Sequence, residues 1–192
     1  MKEYFSESIF LNPFATQVTT AVLGPKPKWT FCSGNSAMPP LPGGDPQRQP
    51  VHADSDFAHP AHPFALVVNV PLIEFTPENG STEVWLGTHT GELSGLEVQD
   101  GAHGERASGR IKQHLLEKRC TGRGPSQPVI PKGSIVIRDL RLWHAGMPNW
   151  TQDIRVMLAM RSEERFSRNA ETVFRISYAV FCFLNRDRKS VV

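Results

Sequence analysis

Short runs of hydrophobic residues, separated by turn-forming residues, are the main pattern along this chain. The most uniformly apolar run covers residues 64–72 and is rich in valine and leucine. A continuous apolar run of this length is typical of a strand that is buried on both faces. Shorter runs that also favour strands cover residues 29–32, 84–88, 133–139 and 155–160. Short strands with turns between them predict an all-β sandwich or barrel.

Three parts of the chain depart from this strand pattern. Residues 33–50 are rich in proline and glycine and predict a loop that leads into the next strand. Residues 91–128 are polar and glycine-rich apart from a helical pattern at 111–119, so they predict an inserted surface segment. The apolar residues between positions 9 and 23 indicate neither element clearly, so their structure stays open.

The length of 192 residues suits one domain with a sizeable core. We divide the chain into an N-terminal segment of open structure (1–28), a core (29–160) that contains the insertion, and a tail (161–192).

Composition excludes several classes of function. The net charge is only +2 and the basic residues are scattered, so no nucleic-acid partner is expected. The apolar-rich stretch at 173–184 is too short for a membrane span and includes Arg175, so no span is predicted. The first residues do not have the pattern of a signal peptide. Cys32, Cys120 and Cys182 form no CxxC pair, which favours unpaired thiols and a cytoplasmic protein.

His52 and Asp54, separated by one residue, are the most informative local pattern. Residues i and i+2 of a strand point to the same face, so these two side chains can reach one metal ion together. His144, from a distant strand, completes a set of two imidazoles and one carboxylate. That set is the facial triad of non-haem Fe(II), which leaves further coordination positions open. A His-x-Asp pair alone is also compatible with a surface loop, such as the one that contains His59 and His62.

Arg155 follows His144 by eleven residues. We predict that residues 133–139 and 155–160 are the two strands of a hairpin, with a turn at 149–151 between them. Arginine binds a carboxylate through two parallel hydrogen bonds. A dicarboxylate co-substrate could therefore bind iron at one end and Arg155 at the other.

Several stretches of the sequence together resemble the phytanoyl-CoA dioxygenase family of Fe(II)- and 2-oxoglutarate-dependent oxygenases, and its fungal and plant members most of all. The matching stretches are residues 49–54, 68–72, 76–89 and 131–160. The most specific features are a Glu-Asn-Gly…Gly-Thr-His block at 78–89 and a His…Asn-x-Thr…Arg block at 144–155.

The resemblance implies a mainly β fold, a double-stranded β-helix (jelly roll, cupin-like) with few short helices. It also implies that the three triad residues bind iron and that Arg155 binds the distal carboxylate of 2-oxoglutarate. Gln49 and Thr88 lie in matching stretches, and we expect both to contact the co-substrate. Dioxygen is the remaining reactant.

The activity implied by the resemblance is hydroxylation, or a related C–H oxidation, of a small organic, natural-product or lipid-like substrate, with release of succinate and carbon dioxide. The oligomeric state stays open, a homodimer included. Two alternatives remain: a non-catalytic jelly-roll protein that retains the metal site, and a cupin-type hydrolase or isomerase. Family members usually have a longer N-terminal region and an apolar strand after position 160, so we interpret this chain as truncated at its start and divergent in its tail.

A few residues near the motifs have structural interpretations. We assign His89 a structural or pocket role, because a fourth protein ligand would fill an open metal position. Trp85 and Trp143 are interpreted as core or cavity-wall aromatics. Arg138 and Arg141 are predicted to be exposed on a strand face, with pairing to an acid as the alternative.

Overall fold

Seven strands in two sheets make up most of the architecture in the residues described by the computed structural model, which are 6–101, 106–165 and 180–183. Two short 3-10 helices, Gly91–Leu93 and Leu96–Val98, lie between the strands. The helices and strands are α1 (Glu7–Phe10), α2 (Pro13–Leu23), β1 (Lys28–Ala37), β2 (Ala65–Pro71), β3 (Glu83–Val84), α3 (Gln113–Gly122), β4 (Ile135–Asp139), β5 (His144–Ala145), β6 (Arg155–Glu163) and β7 (Val180–Phe183).

The larger sheet has the strand order β1-β6-β2-β4-β7, and β3 pairs with β5 in the smaller sheet. Neighbouring strands in both sheets are antiparallel. The mainly β, jelly-roll fold class is therefore confirmed. The predicted hairpin is wrong, because β2 lies between β4 and β6. Between β4 and β6 the chain crosses to β5 of the smaller sheet. It then returns to the larger sheet at a position that is not adjacent to β4.

The first strand is longer than predicted, because β1 runs to Ala37 and so includes the start of the predicted loop at 33–50. Residues 33–37 contain serine, glycine and asparagine, which are poor signals for a strand. They pair with β6 through main-chain hydrogen bonds, which do not depend on side-chain type. Tertiary pairing therefore overrides local propensity here.

The open segment at 9–23 forms α1 and α2. Asn12 caps α2, since its side-chain oxygen accepts hydrogen bonds from the backbone N–H groups of Phe14 and Ala15. Pro13 stands at the first helical position, where a missing N–H costs nothing. Gly24 ends the helix with a φ of 87°.

The larger sheet separates two environments. On its outer face, Leu66, Val68 and Val70 of β2 pack with Ala15 and Leu23 of α2 in one hydrophobic cluster. The inner face is turned toward the smaller sheet. All seven residues of β2 are buried as a result, which confirms the prediction of a strand covered on both faces.

The segment at 91–128 is polar in sequence, yet its described part contributes to the core. Ile111 and Val98 are buried in a cluster with Val51 and Trp143. The Ile111 backbone N–H donates to the Val51 carbonyl oxygen over 2.9 Å, which ties the segment to the chain just before His52. The predicted helix within it is confirmed as α3.

Both tryptophans assigned to the core are buried there, at 4% exposure for Trp85 and 0% for Trp143. Cys32 and Cys120 are exposed free thiols. The Cys182 side chain and most of residues 173–184 lie outside the described residues. Within the described chain, no helix combines the length and the apolar character that a membrane crossing requires.

The two arginines predicted to be exposed are buried instead, which corrects that prediction. Arg141 is 1% exposed and forms a two-point ion pair with Asp139, with its Nε 2.9 Å from Oδ1 and its Nη2 2.8 Å from Oδ2. Its Nη1 also donates to the Ala61 carbonyl oxygen. The alternative prediction, that such an arginine pairs with an acid, is therefore the one that applies to Arg141, because the turn after β4 folds inward.

Replacing Arg141 with methionine is expected to lower the free energy of unfolding by about 3–5 kcal/mol, because the buried Asp139 carboxylate is left without its cationic partner. Chemical denaturation followed by circular dichroism measures this change. Arg161→Met is the matched control, since the Arg161–Glu163 pair is partly exposed and worth at most about 1 kcal/mol. Equal losses in the two variants would contradict the prediction.

Candidate metal centre

His52 and His144 meet as a cross-strand pair. The backbone N–H of each donates to the carbonyl oxygen of the other over 2.9 Å. This places the two imidazoles side by side on one face, with 4.3 Å between ring centroids. The two histidines are distant in sequence, so this pairing is a product of the jelly-roll topology.

Alternation of side chains turns the histidines toward the interior of the molecule. Val51 and Ala53, on either side of His52, pack into the same hydrophobic cluster as Trp143 and Ala145, on either side of His144. Successive residues of a strand point to opposite faces. Anchoring the apolar neighbours on the outer face therefore directs both imidazoles to the inner face.

Asp54 completes the group from a bend just after the His52 bridge. Its Oδ1 lies 3.8 Å from His52 Nε2 and 3.6 Å from His144 Nε2. One ligand atom from each of the three residues lies within 4.8 Å of the others. These distances allow one ion to contact all three side chains.

Backbone carbonyl groups fix the orientation of both imidazoles. His52 Nδ1 lies 2.9 Å from the carbonyl oxygen of Pro50, and His144 Nδ1 lies 3.0 Å from that of Leu142. A carbonyl oxygen only accepts, so each Nδ1 carries the proton. Each Nε2 is the ring nitrogen that faces Asp54, the arrangement typical of metal-binding histidines.

The local electrostatics favour the protonation states that bind metal. Burial alone would raise the pKa of Asp54, but the nearby Arg138 guanidinium and the two imidazoles together hold that pKa well below its usual range. Burial, followed by the repulsion of Arg138, lowers the pKa of His144 to about 3. At neutral pH the site therefore presents a carboxylate and a neutral His144 imidazole, as metal ligation requires.

A cavity of about 890 Å³ opens beside these three residues. Its floor is the inner face of the larger sheet. Asn69 of β2 and Met157 of β6 lie on this floor, together with Asn35 of β1. Gln49, Thr82 and Arg155 also line the cavity.

Arg155, the first residue of β6, supplies a cation to this cavity. The side chain is buried at 3% exposure, and its Cζ lies 4.8 Å from the centroid of the Phe75 ring. Its Nε and Nη1 have no hydrogen-bond partner among the described residues. Burial lowers the pKa of Arg155 from its very high ordinary value. An unpaired buried guanidinium at a cavity wall is suited to binding a carboxylate from a ligand.

Residues 5–157 match the phytanoyl-CoA dioxygenase (PhyH) family. The chain belongs to this family. The match covers the candidate triad and Arg155, so the resemblance of the sequence to this family is confirmed.

Solved structures share the fold of this phytanoyl-CoA dioxygenase family member at low sequence identity. SnoN, an epimerase in complex with Fe³⁺, alpha-ketoglutarate and nogalamycin RO, aligns with a TM-score of 0.63 and 13% identity over 82% of this chain and 58% of its own. EvdO2 from Micromonospora carbonacea var. aurantiaca, complexed with 2-oxoglutarate, aligns with a TM-score of 0.59 and 16% identity over 86% of this chain and 64% of its own. EctD from S. alaskensis, with 2-oxoglutarate and 5-hydroxyectoine, aligns with a TM-score of 0.57 and 17% identity over 82% of this chain and 54% of its own. This chain therefore spans roughly half to two thirds of the length of these three proteins.

The described residues fit the iron that this family implies. Two imidazole nitrogens and one carboxylate form a mixed nitrogen and oxygen set with open positions, which suits non-haem Fe(II). His89 is buried at 5% exposure and lies outside this group of three. His59 stacks on Phe64, with 5.1 Å between ring centroids, and His62 contacts Glu164, so neither belongs to the metal group.

The two further co-substrate residues predicted from the sequence have different positions. Gln49 lines the cavity, and its Oε1 accepts a hydrogen bond from the Gly146 backbone N–H over 3.0 Å. Thr88 is fully buried, and its hydroxyl donates to the Trp85 carbonyl oxygen and accepts from the Trp143 N–H. The structure thus gives Thr88 a role in bracing the chain before His144 instead of a contact with a ligand.

Sequence reasoning missed Thr82, which lines the cavity. Its signal was the alternation of β3: Val84 pairs directly with His144, and Thr82 precedes Val84 by two residues on the same face. Arg138 was also missed as a site residue. Its Nη2 donates to Asp54 Oδ2 over 2.6 Å. A regular strand pattern around residue 138 contained no signal for this distant partner.

Proposed function

We propose that this chain is an Fe(II)- and 2-oxoglutarate-dependent oxygenase that oxidises a C–H bond of a small organic, natural-product or lipid-like substrate. The observation that carries the proposal is the placement of the His52–Asp54–His144 triad and the unpaired Arg155 guanidinium along one cavity. When bound, iron with 2-oxoglutarate and dioxygen supplies oxidation of an unactivated C–H bond, with release of succinate and carbon dioxide.

Each residue of the chain has a limited task in this proposal. The triad provides three ligands on one side and leaves the other side for co-substrate and dioxygen. Arg155 holds the distal carboxylate of 2-oxoglutarate by two parallel hydrogen bonds. Thr82 and Gln49 line the same cavity and are in position to contact the co-substrate. No side chain has to act as a general acid or base.

A hydrolase or isomerase that used the same three ligands would not need Arg155. A buried cation without a described partner is costly, and a ligand that brings a carboxylate would offset that cost. The buried Arg155 guanidinium therefore favours the oxygenase over the cupin-type hydrolase or isomerase.

Anaerobic addition of Fe(II) and then 2-oxoglutarate tests the proposal. We expect a weak visible charge-transfer band that requires both additions and is absent when succinate replaces 2-oxoglutarate. His144→Ala should not produce the band, whereas His62→Ala should produce it as the parent does. Absence of the band from the folded parent would contradict the proposal.

Admission of dioxygen to the same sample separates the remaining alternative. We expect the band to bleach and succinate to form. Succinate release would exclude a non-catalytic protein that only retains the metal and co-substrate sites.

A further inference from the structure

Arg138 differs from the other buried arginines in what it contacts. It lies on β4 at 6% exposure and lines the cavity. Its Nη2 donates to Asp54 Oδ2 across 84 positions of sequence. Arg141, by contrast, pairs with Asp139 of its own turn, and the Nε and Nη1 of Arg155 have no hydrogen-bond partner among the described residues.

The stability of the fold does not explain why Arg138 is buried here. Its Nε and Nη1 are buried without a hydrogen-bond partner in the described part of the chain. Leaving such groups unpaired costs about 1–3 kcal/mol, more when charged. A buried ion pair seldom repays the desolvation of both charges. Apolar side chains in place of both members of the pair would therefore serve folding at least as well.

The contact does have a clear geometric consequence for Asp54. Arg138 occupies Oδ2, while Oδ1 faces both imidazoles at 3.6 and 3.8 Å. We propose that Arg138 is a positioning residue that restricts Asp54 to binding the metal through one oxygen. This inference rests on the metal site of the proposed function. One-oxygen binding keeps the coordination number low, so the positions needed by co-substrate and dioxygen stay open.

The coordination number of Co(II) bound to the triad tests this inference without any turnover. Co(II) accepts the same nitrogen and oxygen ligands as Fe(II), and its visible d–d bands lose intensity as ligands are added. In Arg138→Met, Asp54 is free to bind through both oxygens, so we expect a loss of d–d intensity and a shift of the bands. Metal affinity alone is a poorer measure, because removing Arg138 also removes a positive charge that repels the ion.

Rescue and control variants distinguish positioning from general damage. Arg138→Lys keeps a charged donor of nearly the same reach, so its spectrum should return toward that of the parent. Arg138→Gln, whose amide is too short to reach Oδ2, should resemble Arg138→Met and replaces it if the methionine variant does not fold. Arg161→Met, on β6 of the same sheet, removes a guanidinium that pairs with Glu163 and not with Asp54, so it should keep the parental spectrum.

Each outcome decides a separate question. A parental spectrum in folded Arg138→Met or Arg138→Gln would overturn the inference and leave the proposed function intact. A change in Arg161→Met as large as in Arg138→Met would also overturn it, since the effect would not be specific to Asp54. If the parent bound Co(II) with a spectrum that His52→Ala did not alter, the metal site itself would be wrong, and the inference would fall with it.

Discussion

Replacement of His52 or His144 with alanine is expected to abolish tight Fe(II) binding. Each variant leaves only two protein ligands, and two ligands hold a divalent ion poorly. In the parent, backbone carbonyl groups orient both rings so that each Nε2 faces the metal position. Loss of one ring therefore removes a ligand without any reorganisation of the fold. Anaerobic equilibrium dialysis with metal analysis measures the bound iron.

Asp54 requires a more careful substitution than the histidines. Asp54→Ala would leave Arg138 buried without its partner, which costs about 3–5 kcal/mol. Asp54→Asn keeps an oxygen acceptor for Arg138 and removes the negative charge that the metal needs. We therefore expect Asp54→Asn to remain folded and to lose tight iron binding.

The matched controls are two histidines of the neighbouring loop. His59→Ala and His62→Ala remove an imidazole outside the metal group, so iron binding should stay close to that of the parent. Stoichiometric iron in any two of the three triad variants would refute the ligand assignment.

Arg155→Ala is expected to weaken 2-oxoglutarate binding by at least about tenfold. A charge-assisted contact contributes roughly 1.5–3 kcal/mol, and roughly 1.4 kcal/mol corresponds to one decade of affinity. Arg155→Lys should restore binding only in part, because an ammonium group cannot form two parallel hydrogen bonds to one carboxylate. Isothermal titration with 2-oxoglutarate in the presence of a metal measures both variants.

Arg155 should set co-substrate affinity without setting metal affinity, since it is not one of the three ligand residues. Arg155→Met keeps most of the side-chain volume and guards against a packing defect. Arg161→Ala removes a guanidinium six positions further along the same strand, where Glu163 already pairs with it. Parental 2-oxoglutarate affinity in Arg155→Ala would remove the main support for an oxygenase beyond the triad.

The local sequence was sufficient to predict structure where the spacing of chemically distinctive or apolar residues fits an extended chain. The spacing of His52 and Asp54 predicted that both would reach one ion, and the geometry of the site agrees. The apolar run at 64–72 predicted a doubly covered strand and became β2. The β-rich character of the chain followed from the same short runs.

Prediction failed where a residue's environment is set by a distant part of the chain. Residues 33–37 have weak strand propensity but are held by main-chain pairing with β6. Thr82 and Thr88 lie on either side of β3, yet Thr82 lines the cavity whereas Thr88, in the turn after β3, is fully buried. Arg138 carried no local sign that its partner would be Asp54.

The sequence by itself determined the types of the candidate ligands, their order along the chain and the β-rich character of the fold, because these depend on residue chemistry and on the local pattern of apolar residues. The tertiary structure decided which strands are neighbours, and so separated β4 from β6 and joined His52 to His144. It also decided which charges are buried together. Both outcomes depend on contacts between residues far apart in sequence, and local periodicity contains no information about such contacts.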